Sequence, residues 1–321
     1  MQSSRHHYSE RVQALLIVNP HATTTTVPRR EVIVRALGSE VELEVVETRY
    51  RGHASALAAE AADSGCQAVF TLGGDGTINE AVNGLLHAGS GPGTGPPALA
   101  PLPGGSANVF VRALGLPADP VDATGLMLEA IRTGRERHVG LGLAGDRYFT
   151  FNAGLGLDAE VVRAVEGLRA QGRAASPVLY LRTAVRQFYS VTDRHRPALR
   201  LERDGHAPVD RLFIAIVSNT APWTYLGTRP VNPNPRARFE TGLDLFALRR
   251  LRTIATLNAL RQMLTSGEQP PRGRHVVSLH DQAELTLRSG RPIACQVDGE
   301  YVGERECLTF RSAPRALRVI C

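Results

Sequence analysis

Apolar residues follow two rhythms along this chain, and the change falls near His138. Before it, short apolar runs alternate with stretches of helical spacing. Ala14 to Val18 reads as a buried strand ending in Asn19-Pro20, and beyond the polar Thr23–Thr26 loop the pattern predicts a helix from about Pro28 to Leu37. Val41 to Val46 is a second strand, running out at Glu47-Thr48, and His53 to Ala62 an alanine-rich helix. Ala68 to Leu72 and Ala98 to Leu102 are the third and fourth strands. Each leads into a glycine-rich turn and then a helix, the second helix reaching Leu114, while Gly89–Pro97 reads as a surface loop. Repeated βα units predict a parallel sheet with ligands gathered at the carboxyl ends of its strands.

After His138 short strand-like runs dominate: Val139–Leu143, Arg147–Phe151, Ala198–Glu202, Leu212–Val217, Leu243–Leu248, Val276–Leu279, Ala283–Leu287, Ile293–Val297 and Leu308–Arg311. Their spacing predicts an antiparallel sandwich. Helical stretches interrupt it at about Ala159–Ala170, Pro177–Tyr189 and Thr253–Leu264, and Ala316 to Ile320 is a last strand without an obvious neighbour. The Val178, Leu181, Val185, Phe188 stripe reads as core packing, with the wall of an acyl pocket as the alternative.

A length of 321 residues fits about two domains of roughly 150 residues each. The longest apolar runs, such as Leu212–Val217, fall far short of the ~18–20 residues that span a bilayer. The polar start, Met1 to Val12, lacks a signal-peptide core, so a cytoplasmic protein is expected. Cys66, Cys295, Cys307 and Cys321 lack metal-ligand spacing and read as free thiols. His53, His138 and His275 have no triad context.

All 37 basic residues are arginine, so no P-loop lysine, kinase-strand lysine or Schiff base is available. Phosphates would have to be met by backbone amides, arginine and a metal. The net charge of +6 favours anionic ligands or membrane surfaces, and Arg249-Arg250-Leu251-Arg252 is the compact basic cluster. Aromatic content of 5% without a nucleic-acid motif argues against nucleic-acid binding.

The chemistry concentrates in four loops. Gly73-Gly74-Asp75-Gly76-Thr77 joins a buried strand to a helix, aiming N–H groups and a positive dipole end at an anion. A carboxylate within such a loop repels phosphate unless it holds a metal or takes a proton, which points to phosphoryl transfer. Glu80, in the first helical turn, either complements the dipole or reaches the site. Gly104-Gly105-Ser106-Ala107-Asn108 is a second such turn, with Ser106 an N-cap or a ligand contact. Asp158 follows a strand and opens a helix, either as an ordinary helix-start acid or in the active-site cleft. Asp298-Gly299-Glu300 has the hairpin-turn pair, its acids either idle or available to Mg²⁺ and its waters. Thr241-Gly242-Leu243-Asp244 reads as a turn rather than a cation site, and Pro222, Trp223 and Tyr225 either pack or line an acceptor site.

Together, Gly73–Thr77 with Asn79-Glu80, Asn19-Pro20, Gly104–Asn108 and Val297–Glu300 resemble the diacylglycerol kinase catalytic-domain family, over about Ala14 to Cys321. The resemblance implies a nucleotide-binding α/β domain, 1–137, like that of phosphofructokinases and NAD kinases, completed by 313–321. It implies a β-sandwich at 138–312 that takes the lipid acceptor. ATP, Mg²⁺ and a lipid hydroxyl such as that of diacylglycerol are the implied reactants, at an interdomain cleft and in transient contact with the inner membrane surface. A homodimer is compatible with it. The resemblance makes Asn19, Thr48, Gly73, Gly74, Gly76, Thr77, Gly105 and Ser106 nucleotide contacts, with Glu80 beside them. Asp75, Asp298 and Glu300 become the catalytic and metal-binding set: either Asp75 or Asp298 takes the hydroxyl proton, with Asp298 favoured as base and Asp75 arranging Mg²⁺ and waters, and Asp158 orients the acceptor or the metal's waters. Many bacterial members carry Asn-Asp where this chain has Asn108-Val109, which removes one acid from the expected site. The competing readings are a soluble-metabolite kinase of the NAD-kinase kind and a non-catalytic lipid-binding protein.

Overall fold

The computed structural model describes residues 12–23, 25–88, 95–171, 196–265 and 267–321, with isolated positions at 179, 182–183 and 186–187. The chain divides into two compact units. Met1–Ser106, Leu116–Arg137 and Arg318–Cys321 form the first; Ala107–Gly115 and His138–Leu317 form the second.

In the first unit, β1 (Gln13–Val18) leads to α1 (Val27–Gly38), β2 (Glu42–Glu47), α2 (His53–Asp63), β3 (Ala68–Gly73), α3 (Asp75–His87) and β4 (Ala98–Pro103). The chain then runs through α4 (Val109–Ala113), which groups with the second unit, before returning as α5 (Pro120–Thr133). The strands pair in parallel in the order β4-β3-β1-β2. β3 and β4 are buried along their whole length and β1 all but its first residue, whereas the edge strand β2 is largely exposed. This is why the first three read as continuous apolar runs.

Helices pair as α1 with α5 and α2 with α3. The α2–α3 contact is built from small residues: Ala54, Ala58, Ala61 and Ala62 are buried. A Cβ at Gly84 would lie 2.1 Å from the Ser55 carbonyl oxygen. α5 was not anticipated from apolar periodicity, yet its ends carry the standard signals. Asp119 accepts from the Val121 and Asp122 amides, Pro120 opens the first turn, and Gly134 closes the helix at φ 63°.

The second unit contains β5 (Glu136–Ala144), β6 (Arg147–Phe149), β7 (Asn152–Gly156), α6 (Leu157–Ala170), β8 (Leu199–Arg203), β9 (His206–Leu212) and β10 (Ile214–Ser218). It continues with β11 (Thr224–Leu226), β12 (Arg229–Val231), β13 (Leu243–Leu248), α7 (Thr253–Met263), β14 (Val276–Gln282), β15 (Glu284–Val297) and β16 (Glu300–Ile320). Antiparallel neighbours run β14-β13-β10-β7-β15-β16. β15 pairs with β8 through its first half and with β7 through Cys295–Val297, with a register shift between. One strand therefore serves both sides of a core formed by Phe149, Leu155, Leu201, Val217, Leu245 and Phe310 among others. Parallel strands in the first unit and antiparallel strands in the second match the fold class read from the sequence.

Further details differ from the sequence reading. Ala283–Leu287 and Ile293–Val297 are one bent strand, β15, and Leu308–Arg311 and Ala316–Ile320 both belong to β16. The stretches 288–292 and 311–315, which hold no buried residue, hide that continuity. The end of β16 finds its neighbour in β4, through Val319 beside Leu99. β9 was missed because it is exposed except at its end, and the short β11–β12 pair because it holds so few apolar residues. Of the helix expected at 177–189 only isolated positions are described, and its apolar stripe of Val178, Leu181, Val185 and Phe188 lies outside the described residues.

The helix packing gives a paired test. Gly84→Ala forces backbone apart and should destabilise the protein by about 2–3 kcal/mol. Gly125→Ala, at an exposed position of α5 where an added Cβ meets nothing within 4 Å, should stabilise it by about 0.5–1 kcal/mol. Denaturant unfolding of both variants measures the contrast, and equal effects would show that the α2–α3 contact is loose.

Candidate active site

The first unit carries a double glycine loop at the carboxyl ends of β3 and β4. The Gly104 amide donates to the Gly73 carbonyl at 2.7 Å. A Cβ on Gly104 would lie 2.9 Å from the Gly73 backbone, and one on Gly73 would lie 2.7 Å from the Thr77 side chain. None of Gly73, Gly74 and Gly104 has a left-handed φ. Glycine is required here for space, because two main chains and a threonine occupy the room a side chain would take.

α3 begins at Asp75 with Gly74 as its N-cap and no side-chain cap. The first N–H groups of a helix have no partner inside it, so this end suits an anion. Asn19 joins the loops: its amide nitrogen donates to Thr77 Oγ1 at 3.1 Å and its Oδ1 accepts from the His21 amide. The Thr48 amide donates to the Val18 carbonyl, which sets the loop after β2 beside the end of β1. Asn19, Gly73, Gly74, Thr77 and Gly105 are thus gathered, and Ser106 is exposed at the end of the second turn. Glu80 is occupied otherwise: its two oxygens accept from the Gly52 and Ala54 amides at 2.7 and 3.2 Å, capping α2.

The second unit carries a buried polar network around the β15–β16 turn. Asp298 and Gly299 both have positive φ, 47° and 77°, and Val297 pairs with Glu300, so the expected Asp-Gly hairpin turn is present. The Asp298 side chain does not face solvent. Its Oδ2 accepts from the Thr150 amide and hydroxyl at 2.7 and 2.8 Å, and its Oδ1 from the Phe151 and Asn152 amides at 3.0 and 3.1 Å. Burial pushes this carboxyl up, and the four donors pull against that shift.

Gln296 is the residue the sequence reading passed over. Its Nε2 donates at 2.8 Å to both Asn152 Oδ1 and Asp158 Oδ2, and its Oε1 accepts from the Gly299 amide. Only its place two residues before Asp298 on a buried strand hinted at this. Asp158 is pushed up to about 6 by burial, which the Gln296 hydrogen bond only partly opposes. Gly154 makes room for it, since a Cβ there would stand 2.2 Å from Asp158 Oδ2. Glu300 is ion-paired with Arg147 at 3.1 Å.

The remaining sequence candidates pack. Trp223 accepts from Asn152 through its carbonyl and lies on the apolar cluster under α7, and the Arg112 guanidinium sits over the Tyr225 ring. Asp244 accepts from the His280 ring at 2.7 Å and the Asp281 amide. Among the described residues no three His, Cys, Asp or Glu side chains converge as metal ligands, and no helix is long and apolar enough to cross a membrane.

Residues 13–144 match the model of the diacylglycerol kinase catalytic domain. A Chromohalobacter salexigens protein named Probable lipid kinase YegS-like is 39% identical over 132 residues, a stretch covering 41% of this chain and 40% of that protein. The diacylglycerol kinase of Staphylococcus carnosus is 25% identical over 92% of this chain and 90% of its own length; that of Staphylococcus aureus is 24% identical over 92% and 88%. Among solved structures, one from Bacillus anthracis str. Sterne superposes with TM-score 0.74 at 21% identity, covering 97% of this chain and 98% of that one. A diacylglycerol kinase from the same organism does so with TM-score 0.67 at 19% identity, covering 97% of each chain. The family resemblance read from the motifs is borne out, and the family is one of phosphotransferases.

The network yields two predictions. Asp298→Asn puts an amide group against main-chain donors and should lower the thermal midpoint by roughly 4–12 °C, from a cost of about 2–3 kcal/mol. An unchanged midpoint would mean the carboxylate is not what holds 150–152. Asp158 has a folded-state value above its ordinary 3.8, so the folded chain keeps this proton where the unfolded chain has lost it. Its stabilising contribution is complete below about pH 4 and is lost as pH rises through about 6. Asp158→Asn should therefore match wild type near pH 4 and exceed its thermal midpoint near pH 7.5. Parallel melting curves across that range would refute this assignment.

Proposed function

We propose that this chain is an ATP- and Mg²⁺-dependent lipid kinase that transfers the γ-phosphate of ATP to the hydroxyl of diacylglycerol or a related lipid alcohol. The observation that carries the reading is the double glycine loop at an uncapped helix start with one carboxylate, Asp75, inside it. The match of residues 13–144 to a kinase catalytic domain supports it. So do lipid-kinase relatives that run nearly the full length of the chain.

The residues present fit a nucleotide and a hard cation. Main-chain amides of the Gly73–Thr77 turn and the α3 start would hold phosphate oxygens, with Asn19 and Thr77 bracing the turn. Asp75 supplies an oxygen ligand of the kind Mg²⁺ takes, and a cation held mainly through water and phosphate needs no ready-made protein cage. Bound Mg²⁺ neutralises charge on the transferring group, a task no lysine can share in this chain.

Proton acceptance is assigned here to Asp75 rather than to Asp298. A base needs a lone pair to receive the proton, and the four donors on Asp298 occupy its oxygens. Asp298 then serves as the clamp that holds 150–152. Asp158 and Glu300 remain as groups that orient the acceptor or order water. A membrane lipid acceptor also fits an enzyme working at the surface of the bilayer.

The test is transfer of labelled γ-phosphate from ATP into a total lipid extract, with Mg²⁺. Wild type should label one lipid. Asp75→Asn should lose about 10³-fold in turnover with its thermal midpoint unchanged. Asp298→Asn should lose activity in step with its lowered stability and regain it on cooling. A cooled Asp298→Asn protein as inactive as Asp75→Asn would return the proton to Asp298. Label in a soluble metabolite and in no lipid would overturn the acceptor class.

A further inference from the structure

α7 is apolar on two sides. Its inner side, with Ala259 and Met263 buried, covers a cluster built on Phe213, Ile216 and Phe246. Its outer side presents Ile254, Leu257, Asn258 and Arg261, the i, i+3, i+4, i+7 positions of one helical stripe. Ile254 is 85% exposed and Leu257 59%. A single surface leucine needs no explanation, but two on one stripe, at the end of a helix whose opposite side is already packed, form an unpartnered apolar edge.

The chain that flanks that edge carries charge of one sign. Arg249, Arg250 and Arg252 precede the helix and are exposed, as is Arg274. These four arginines gather about His275: burial lowers its pKa first, and the fields of Arg250, Arg274, Arg252 and Arg249 lower it further. Among the described residues none of the four has an ion pair. No Asp or Glu occurs between Asp244 and Glu268. A basic rim beside a short apolar ridge is the pattern of a helix that lies in the headgroup layer of a bilayer.

We infer that the outer side of α7 and the arginines at its N-terminal end form a docking surface for an anionic phospholipid bilayer. Ile254 and Leu257 enter the boundary between headgroups and acyl chains, and Arg249, Arg250, Arg252 and Arg274 meet lipid phosphates. Guanidinium groups suit this because they bind phosphate in a bidentate manner. Charge complementarity selects the occupant: the rim opposes an anionic surface, and the ridge distinguishes a bilayer from a soluble polyanion. The meaning of such docking, delivery of a lipid acceptor, rests on the lipid-kinase reading; the docking itself does not.

Cosedimentation of the full-length protein with vesicles tests it. Wild type should bind phosphatidylcholine vesicles doped with phosphatidylglycerol, should ignore pure phosphatidylcholine, and should be released by salt. Ile254→Ser with Leu257→Ser should weaken binding by about tenfold. Arg249→Gln, Arg250→Gln and Arg252→Gln together should weaken it by about 100-fold, near fivefold per charge. The same loss of charge at Arg29, Arg35 and Arg291 should weaken it far less. Unchanged circular dichroism and melting would keep the comparison interpretable, since every altered side chain is exposed.

Vesicle binding that survives both sets of substitutions, or binding to a short RNA with none to vesicles, overturns the inference. Phosphorylation of a water-dispersed short-chain lipid alcohol separates the two levels. Full activity there without vesicle binding removes the docking surface and leaves the kinase. Vesicle binding lost in the variants, with no kinase activity in any protein, does the reverse.

Discussion

A carboxylate withdrawn from water costs several kcal/mol unless donors replace the water it leaves. In the second unit that demand falls on Asp298, and three consecutive residues, Thr150, Phe151 and Asn152, turn four donors toward it. The loop between β6 and β7 is therefore shaped by an acid in the distant β15–β16 turn. Asn152 in turn gives its side-chain oxygen to Gln296 and its amide group to the Trp223 carbonyl, so one charge organises three separate segments. Networks of this kind are most rigid when every member is satisfied. Asp158, with Gln296 as the donor against its burial among the described residues, is the weakly satisfied member, and burial pushes it up to about 6. Clamp and titrating acid thus sit in one network with opposite degrees of satisfaction, which is how two similar side chains come to differ in chemistry.

The first unit meets a different constraint, that of volume. Its two glycine loops touch main chain to main chain, and α3 starts at the point of contact. A side chain at Gly104 would push β3 and β4 apart at their carboxyl ends, and one at Gly73 would displace Thr77 at the start of α3. The same condition recurs between α2 and α3, where Gly84 rides on the Ser55 carbonyl. Close approach of this sort holds the amides of a phosphate-binding turn rigidly, and rigidity matters more to phosphoryl transfer than any covalent step does. Glu80 belongs to the same arrangement: by capping α2 it fixes that helix to α3, so an acid in the motif supports the turn from behind.

Much of this was legible in the sequence, and the unread part has physical reasons. Continuous apolar runs gave β1, β3 and β4 because both faces of those strands are buried, and the glycine and Asp-Gly pairs marked the turns. Exposed strands gave no such signal: β9 and the middle of β16 alternate too little to be seen. α5 announced itself through Asp119, Pro120 and Gly134 rather than through periodicity. Spacing showed where the acids are but not what each one accepts. Asp298 and Glu80 look alike as motif acids, and only their donors reveal that both are holding backbone. Gln296, an uncharged residue within a strand, carried no chemical signal at all, although it ties Asn152, Asp158 and Gly299 together.

α7 joins the surface of the second unit to this interior. The cluster beneath it includes Leu157 and Trp223, the first the neighbour of Asp158 and the second the acceptor for Asn152. The inner side of the helix is therefore fixed by the same packing that steadies the acid network. Its outer side has no such task, and Ile254 and Leu257 add nothing to that core. Exposed apolar side chains at such positions lower solubility without a return in stability, so their presence calls for a reason outside the fold. The arginine rim supplies one. Because the two sides of the helix answer to different partners, the outer one can be stripped of charge or apolar area while the inner one, and the network behind it, stays intact.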